Sequence, residues 1–256
     1  MNAITYRIME TTEDMLEVEE LQCVVWGMSK DETLSASTMR WMVHIGGLLI
    51  GAWDDDRLVG FSVGSPGKRE GKWVFWSDMA GIHPDYQGQG IGYQLKLMQK
   101  SWAREQGYEE IRWTFDPMRR GNAYFNFCKL GVISYSYHHA FYGVMKDSIN
   151  MGLYTDRLEA VWSTSEKQLS IPLTDSDIPF AVEFDRDVVK TYSIEAQQFG
   201  IQIPYDLDHL KNNNLVLAMD WQKAVRETFV NYFRLGYQTV GFVKKEPICW
   251  YILHKI

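Results

Sequence analysis

Cysteine and histidine are too few and too scattered in this sequence to predict a metal site. The three cysteines, Cys23, Cys128 and Cys249, lie far apart, and no C-x-x-C pair occurs. Of the six histidines, only His138 and His139 are close, and neighbouring residues of a strand point to opposite faces. The spacing typical of zinc ligands is therefore absent. We expect no metal, and we interpret the cysteines as free thiols of a reducing compartment.

Positive charge and long apolar runs are also lacking. The chain has 26 Lys and Arg residues against 33 Asp and Glu residues, a net charge of −7, and no basic stripe that would bind a polyanion. No stretch approaches the roughly 20 apolar residues of a membrane-spanning helix. The first residues, MNAITYRIMETTEDM, lack the basic start and the apolar run of a signal peptide. We expect a cytoplasmic protein that binds neither nucleic acid nor membrane.

The 256 residues are enough for one large domain with an extension. Strand and helix patterns alternate over residues 1–165, which predicts a mixed α/β (α+β) domain. Over residues 166–256 the pattern changes, and a helix at Val216–Leu235 is followed by strands at Thr239–Val243 and Ile248–Leu253. Because these strands need a partner sheet, we expect this C-terminal α/β extension to pack on the domain as one continuous unit.

A glycine-rich turn joins a predicted strand to a predicted helix in the middle of the domain. The strand Lys72–His83 is stopped by Pro84, and the helix Ile91–Gln106 has an apolar stripe of Ile91, Leu95, Met98 and Trp102. The turn between them reads Gln87-Gly88-Gln89-Gly90-Ile91-Gly92. Glycines let the backbone approach an anion, and the first turn of a helix presents unpaired N–H groups and the positive end of the dipole. The pattern therefore predicts a pyrophosphate site at the start of the helix.

Two other interpretations of these glycines are weaker. An ordinary turn remains an alternative, but it does not explain why the glycines lie between a strand and a helix. A dinucleotide-binding fold needs G-x-G-x-x-G near the start of a βαβ unit and an acidic residue about 20 residues later. The order here is Q-x-x-G-x-G, and several elements precede it. The dinucleotide-binding interpretation therefore fails.

The segment Gln87–Gly92 matches the Q/R-x-x-G-x-G/A signature of GNAT acetyltransferases, and the chain resembles that family over most of its length. The strand exit at Ile82-His83-Pro84 is similar to that of the family, and the segment from Asn122 to Gly131 resembles a later helix that flanks coenzyme A. Other segments are similar to an uncharacterised bacterial subgroup with a C-terminal extension: Trp113–Pro117, Phe141-Tyr142-Gly143 and Asp156-Arg157-Leu158. The resemblance implies the GNAT acyl-CoA N-acyltransferase fold, a mixed central sheet flanked by helices.

The resemblance also implies where an acyl-CoA binds. The strands Lys72–His83 and Glu110–Phe115 would splay apart around the pantetheine arm, and backbone groups near Gly81 and Ile82 would bond its amides. The pyrophosphate would lie on the turn and on the first helical residues: Gln87, Gly88, Gln89, Gly90, Ile91, Gly92 and Tyr93. Asn122 is a further cofactor-binding candidate. Arg119 or Arg120 could reach the 3′-phosphate, or both could be solvated loop charges.

Catalysis in the implied family is direct attack of an amine on the thioester, without a covalent acyl-enzyme. Asp78 on the strand and His83 at its end are the candidates for the general base, and Tyr124 is the candidate for the general acid. The family often has a tyrosine acid where this chain has Phe127. A thiolate can also leave without a dedicated acid, since the pKa of a thiol is only about 8.5. Asp78 could instead make a structural hydrogen bond, and Tyr124 could be a packing residue.

The function that the resemblance implies is transfer of an acetyl or succinyl group from CoA to the primary amine of a small molecule, such as an amino acid, in a ternary complex. One alternative is a non-catalytic acyl-CoA-binding or acyl-CoA-sensing protein, which Phe127 favours. Another is a protein N-acetyltransferase, which needs an open groove for a peptide. An extension that forms a sheet edge elsewhere would favour a homodimer.

Overall fold

The computed structural model describes residues 3–143, 152–165 and 178–256. The chain divides into two compact units, Met1–Trp113 with Ser163–Glu166, and Thr114–Trp162 with Lys167–Ile256. In both units, β-strands and helices are mixed. No helix within the described ranges is both long enough and apolar enough to span a membrane.

The first unit is built on strands in the order β1-β2-β3-β4-β5. Neighbours are antiparallel from β1 to β4, whereas β4 and β5 are parallel. Three helices and two short 3-10 turns, Lys30–Glu32 and Pro84–Tyr86, connect the strands. The elements are β1 Thr5–Ile8, α1 Thr12–Trp26, α2 Ala36–His44, β2 Leu48–Asp54, β3 Arg57–Arg69, β4 Lys72–Ile82, α3 Ile91–Glu105 and β5 Glu110–Phe115.

Helices α1 and α2 cover an apolar core in the first unit. The spacing of Met15 and Val18 on α1 places both side chains in this core, where they join Met39 of α2 and Phe61 of β3. Helix α1 begins at a capped end, since the Thr11 side chain accepts a hydrogen bond from the amide of Asp14. Met79 of β4 packs against the same cluster.

Helix α3 buries a different face from the one that its apolar stripe predicts. Ile91 and Leu95 are buried as expected, but Met98 and Trp102 are only half-buried. In their place the helix buries Lys96, Gln99 and Ala103. The polar ends of Lys96 and Gln99 find hydrogen-bond partners on the sheet, so this face can turn inwards without leaving unpaired polar groups.

The second unit contains a second sheet, of five strands in the order β11-β12-β10-β8-β9. The helix predicted at Val216–Leu235 and both C-terminal strands are confirmed. For Ser170–Asp185 the sequence predicts only connecting structure with short strands, where β8 lies, and it does not predict β9 and β10. The elements are α4 Arg120–Ala123 with a π-helical continuation Tyr124–Leu130, β6 Tyr137–His138, β7 Arg157–Ser163, β8 Phe180–Asp185, β9 Val188–Thr191, β10 Gln198–Pro204, α5 Leu207–Asn213, α6 Leu215–Arg234, β11 Tyr237–Lys244 and β12 Ile248–Lys255.

Aromatic side chains form the core of the second unit. The wholly buried Tyr251 of β12 lies against the rings of Phe127, Phe229 and Phe242, with ring centroids 5.7, 5.3 and 5.0 Å away. Its hydroxyl donates to the carbonyl of Pro117 at 2.6 Å. The C-terminal sheet therefore shares one core with Pro117 and Phe127.

Candidate functional site

Strands β4 and β5 pair over a short distance and then separate. Their paired residues are Phe75 with Ile111 and Trp76 with Arg112. Beyond Trp76, β4 continues to Ile82 while remaining paired with β3 on its other side. The predicted separation of these two strands therefore begins within the first unit, after the pair Trp76 and Arg112, and we call its start, at Ser77 on β4 and Trp113 on β5, the mouth of the fork.

A β-bulge marks the same point on β4. Val63 and Gly64 of β3 pair with Met79 and Ser77, so Asp78 is an extra residue without a partner on β3. Asp78 and Ala80 are both exposed although β4 is an interior strand of the sheet. The bulge and the fork together open the middle of the sheet to solvent.

Asp78 carries an exposed carboxyl group whose pKa is shifted. Solvent reaches the side chain, but the surrounding protein removes enough water to raise the pKa of its carboxyl group. No other described residue forms a hydrogen bond or an ion pair with it. The carboxylate is thus not committed to a structural hydrogen bond within the described chain.

The glycine-rich turn adopts the geometry that an anion site requires. Gly88 and Gly90 have φ angles of +77° and +83°, a backbone region that residues other than glycine rarely adopt. Gly90 is the N-cap of α3, and no side chain caps the helix there. The first-turn amides therefore keep their unpaired N–H groups and the positive end of the helix dipole. At Gly88 and Gly90, no atom of the described chain beyond the two adjacent residues lies within 4 Å of the position that a Cβ would take, which leaves room for a phosphate.

The two glutamine side chains of the turn form hydrogen bonds with the backbone that precedes it. The side-chain amide of Gln87 donates to the carbonyl of Ile82, and that of Gln89 donates to the carbonyl of Asp85, both at 3.2 Å. Ile82 also packs at ordinary contact distance from where a Cβ on Gly92 would stand. These contacts fix the turn relative to the end of β4.

His83, at the end of β4, also contacts neighbouring protein groups through both ring nitrogens. Its ring is buried, and Nε2 lies 2.7 Å from Nη2 of Arg57. Because an arginine can only donate, the Nε2 lone pair is occupied and is not free to take a proton from an amine. Nδ1 lies 3.3 Å from the amide nitrogen of Asp85. This geometry favours a structural role for His83 over its predicted role as a base.

A chain of buried polar side chains runs from α3 to the sheet at the fork. Nζ of Lys96 donates to Oγ of Ser77 at 2.7 Å and lies 3.3 Å from Oε1 of Gln99. It also lies 3.8 Å from the centre of the Trp113 ring. Gln99 continues the chain by donating to Oγ of Ser62 at 3.1 Å. Burial lowers the pKa of Lys96 to about 7.

The buried polar chain was not predicted from the sequence. The signal was available for Gln99, since Leu95, Gln99 and Ala103 follow one another at intervals of one helical turn. A lysine beside that stripe is normally a solvated residue, so only the structure identifies Lys96 as buried.

The remaining candidates belong to the second unit. Asn122 is exposed, and Tyr124 is half-buried with Nζ of Lys129 and Nζ of Lys244 at 5.7 and 5.4 Å from its ring centre. Phe127 is buried in the aromatic core. The structure therefore places Asp78, His83 and residues 81–93 in the first unit, and Asn122 and Tyr124 in the second.

The two arginines considered for the 3′-phosphate already have protein partners. Arg119 forms an ion pair with Asp208 and lies 3.7 Å from Asp116. The guanidinium of Arg120 stacks on the ring of Tyr205 at 3.6 Å. Among the described residues, no group of three or more His, Cys, Asp or Glu is arranged to hold a metal ion.

Comparison with known proteins gives one family match. Residues 12–127 match the family model described as acetyltransferase (GNAT) family, and this segment contains the fork, the bulge and the glycine turn. No curated protein matches the sequence significantly.

Solved structures of low sequence identity share the fold. A probable acetyltransferase from Staphylococcus epidermidis is 16% identical, with a TM-score of 0.53 over 64% of this chain and 100% of its own. The ribosomal-protein-S18-alanine N-acetyltransferase from Escherichia coli is 13% identical, with a TM-score of 0.52 over 67% and 100%. The protein yncA from Salmonella typhimurium, solved with its cofactor acetyl-CoA, is 14% identical, with a TM-score of 0.51 over 68% and 99%.

Proposed function

Through residues 12–127 this chain belongs to the GNAT acetyltransferases, acyl-CoA-dependent N-acyltransferases, and on that premise we propose that it moves an acetyl or succinyl group from CoA to a small-molecule amine. The observation that carries the proposal is the fork between β4 and β5, which opens at the bulge of Asp78. The uncapped start of α3 lies at the far end of the same strand.

An acyl-CoA would bind to the first unit between the fork and the start of α3. Amides from Gly88 to Tyr93 would hold the pyrophosphate at the start of α3, because they combine free donors with the helix dipole. The backbone of Gly81 and Ile82 would bond the pantetheine amides. Gln87 and Gln89 use their side chains to support the turn, so they would contribute to the site through the backbone alone.

Asp78 is the proposed general base. Its raised pKa makes it a better proton acceptor than an ordinary aspartate, and it stands at the mouth of the fork. The amine nitrogen forms a bond to the thioester carbonyl carbon, the carbon–sulfur bond breaks, and the carboxylate of Asp78 takes the proton that the nitrogen loses. Orientation of both reactants in one complex supplies much of the acceleration.

Ligand-dependent thermal stability tests the cofactor site. At about 100 times its dissociation constant, a ligand adds roughly 2.7 kcal/mol and raises the melting temperature by a few degrees. We expect such a shift with CoA, acetyl-CoA or succinyl-CoA, and the preferred thioester identifies the donor. The variant Gly92→Asp should lose the shift, because its carboxylate would stand beside the phosphates.

The matched control for this variant is Gly67→Asp. A Cβ at either glycine would stand at an ordinary contact distance, 3.7 Å from Ile82 at Gly92 and 3.6 Å from Trp76 at Gly67, so both variants should fold. Gly67 lies at the opposite end of the β3–β4 hairpin, where it pairs with Val74. No shift in the wild type with any thioester at millimolar concentration would mean that the glycine turn is only a turn.

A screen of acceptors tests the small-molecule assignment. Release of free CoA thiol from the preferred thioester is followed with amino acids, other small amines and peptides carrying a free N-terminus. Turnover with a small amine supports the proposal, and turnover with peptides alone would favour a protein N-acetyltransferase. Binding of CoA without turnover of any amine would favour an acyl-CoA-binding or acyl-CoA-sensing protein.

A further inference from the structure

Lys96 is placed where the two central strands of the first unit separate. Its Nζ joins Ser77, which follows the last paired residue of β4, to Trp113, which follows the last paired residue of β5. One lysine side chain, projecting from α3, therefore lies at the apex of the fork. The contact with Ser77 is a hydrogen bond of 2.7 Å, and the contact with Trp113 is a cation–π contact of 3.8 Å.

The surroundings of Lys96 are unusual for a lysine. The side chain is 6% exposed, and its described partners are two neutral polar groups and an aromatic ring. A buried ammonium without a carboxylate destabilises the folded state, since neutral partners replace only part of its hydration. An apolar residue of similar length would pack here without that cost. A functional requirement for the ammonium at the fork explains why a lysine is present.

We propose that Lys96 is a catalytic residue that gives its proton to the CoA thiolate as the thiolate leaves. The inference rests on the proposed function, because it needs the thioester to lie in the fork. The two residues that hold Nζ flank the mouth of this fork, and the bulge of Asp78 directly follows Ser77. The residue that accepts the hydrogen bond of the proton donor is thus the neighbour of the proposed base on β4.

Each proton and each electron pair of this step has a defined destination. The carbon–sulfur bond breaks with both electrons going to sulfur, and the ammonium of Lys96 supplies the proton that converts the thiolate to a thiol. Lys96 is left as a neutral amine, still accepting or donating within its bonds to Ser77 and Gln99. Solvent returns a proton to it after the products leave. The proton lost by the acceptor nitrogen goes to Asp78, so the two transfers use separate groups.

The experiment titrates the thiol of bound CoA, which requires no knowledge of the acceptor. Ultraviolet absorbance of the thiolate is followed against pH for CoA alone and for CoA bound to the wild type, to Lys96→Met and to Lys100→Met. An opposite charge within about 4–6 Å lowers the pKa of an acidic group by one unit or more. The ammonium of Lys96 has a pKa of about 7, so the thiol and the lysine lose their protons as a coupled pair. We therefore expect the CoA bound to the wild type to show part of its thiolate absorbance already near pH 7, below the titration of free CoA.

The variants separate a functional lysine from a structural one. Lys96→Met should return the bound thiol to the titration of free CoA or above it, whereas Lys100→Met, a change of the same kind on the same helix, should behave as the wild type. If Lys96→Met binds CoA and its thiol titrates as in the wild type, the inference is overturned while the proposed function stands. If the wild type binds no CoA, the proposed function itself fails.

A second variant keeps the test decisive if Lys96→Met does not fold or bind. Ser77→Ala removes the 2.7 Å hydrogen-bond partner and leaves the lysine in place. We expect a smaller displacement of the thiol titration towards that of free CoA. A bound thiol that titrates in Ser77→Ala as in the wild type would then count against Lys96 as its proton donor.

Discussion

Asp78 owes its proposed role to an exposed position that is still partly dehydrated. A carboxylate with a raised pKa accepts a proton more readily, but it must be ionised to do so. We predict that Asp78→Asn lowers kcat by about 10²- to 10⁴-fold, the usual contribution of a general base, and leaves CoA binding unchanged. Steady-state kinetics with the acceptor from the screen measures this.

The control for Asp78→Asn is Asp56→Asn, which makes the same change in the turn between β2 and β3. It should retain full activity. In the wild type, kcat/KM should fall as the pH falls through the raised pKa of Asp78, so the loss begins at a higher pH than for an ordinary aspartate. Wild-type turnover by Asp78→Asn would remove Asp78 from the mechanism.

Lys96 makes a separate prediction about stability. The pKa of a lysine is about 10.4 in the unfolded chain, and burial lowers that of Lys96 to about 7 in the folded one. Between these values the unfolded state binds more protons, so the free energy of unfolding rises with pH, by up to about 1.4 kcal/mol per unit. The destabilisation by Lys96 is therefore complete below about pH 7 and fades towards pH 10.

The measurement compares denaturant unfolding of the wild type and Lys96→Met from pH 6 to pH 10, a range chosen to span roughly both pKa values. We expect the variant to gain most relative to the wild type at the acidic end, and the two curves to converge as the pH rises. Lys100→Met should run parallel to the wild type. A constant difference between wild type and Lys96→Met would mean that Lys96 keeps an ordinary pKa.

At the scale of elements, the bulge changes which face of the sheet the side chains of β4 point to on either side of Asp78. Ser77 contacts Lys96 on the α3 side, whereas Met79 packs against the core on the α1 side. Deleting Asp78 makes these two residues consecutive, which restores the regular alternation of a strand. The deletion variant should therefore fold, with a melting temperature within several degrees of the wild type, as circular dichroism would record.

Activity distinguishes the bulge from the carboxylate it presents. Asp78→Ala removes the carboxylate and keeps the bulge, so any further loss in the deletion variant measures what the backbone opening contributes. We expect the deletion to be the less active of the two variants. Equal activity would mean that the carboxylate alone matters.

The sequence predicts elements whose ends are marked by proline or glycine. It does not predict features that depend on pairing with other strands. Pro84 and the glycines delimit β4 and α3, and both predicted elements end within one residue of the observed ones. The bulge at Asp78 is invisible in the sequence because it is defined by the residues of β3 that pair on either side of it. The bounds of β8, β9 and β10 were not predicted, because these strands take their register from one another and from β12.

The same limit applies to the site. The glycine turn is a local signal, since positive φ angles and an uncapped helix start depend on adjacent residues. The burial of Lys96 depends on Ser77 and Trp113, which are distant in sequence. Periodicity alone treated Met98 and Trp102 as the inner face of α3, and tertiary packing turned the helix towards Lys96 and Gln99.

At the scale of the whole molecule, the second unit combines two parts of the chain that are distant in sequence, one before residue 163 and one after residue 166, and contacts between them stabilise it. Ser134 and Thr239 form a backbone bridge, and the side chain of Gln222 bonds both the amide and the carbonyl of Tyr154, at 3.0 and 2.7 Å. Arg226 of α6 forms an ion pair with the buried Asp156 at 2.9 Å. Ser134, Tyr154 and Asp156 therefore depend on the C-terminal segment for their packing.

This dependence predicts the behaviour of a truncated chain. The domain boundary proposed from sequence lies at residue 165. A fragment of residues 1–165 would lose Tyr251, which packs on Phe127, and Phe229, which packs on Tyr251. Removing a single buried aromatic side chain typically destabilises a protein by about 3–5 kcal/mol, which approaches the whole stability of a typical domain. We expect the fragment to aggregate or to unfold without a cooperative transition, as calorimetry and size-exclusion chromatography would record.

Tyr251→Phe in the full chain provides the control, because it keeps the ring and removes only the hydrogen bond to Pro117. Its loss should be on the order of 1 kcal/mol, with a cooperative transition retained. A fragment of residues 1–165 that is monomeric and unfolds cooperatively would show that the first 165 residues form an independent domain, and that the aromatic core around Tyr251 is an addition to it. Aggregation of the fragment beside a stable Tyr251→Phe variant would show that the C-terminal segment completes the fold.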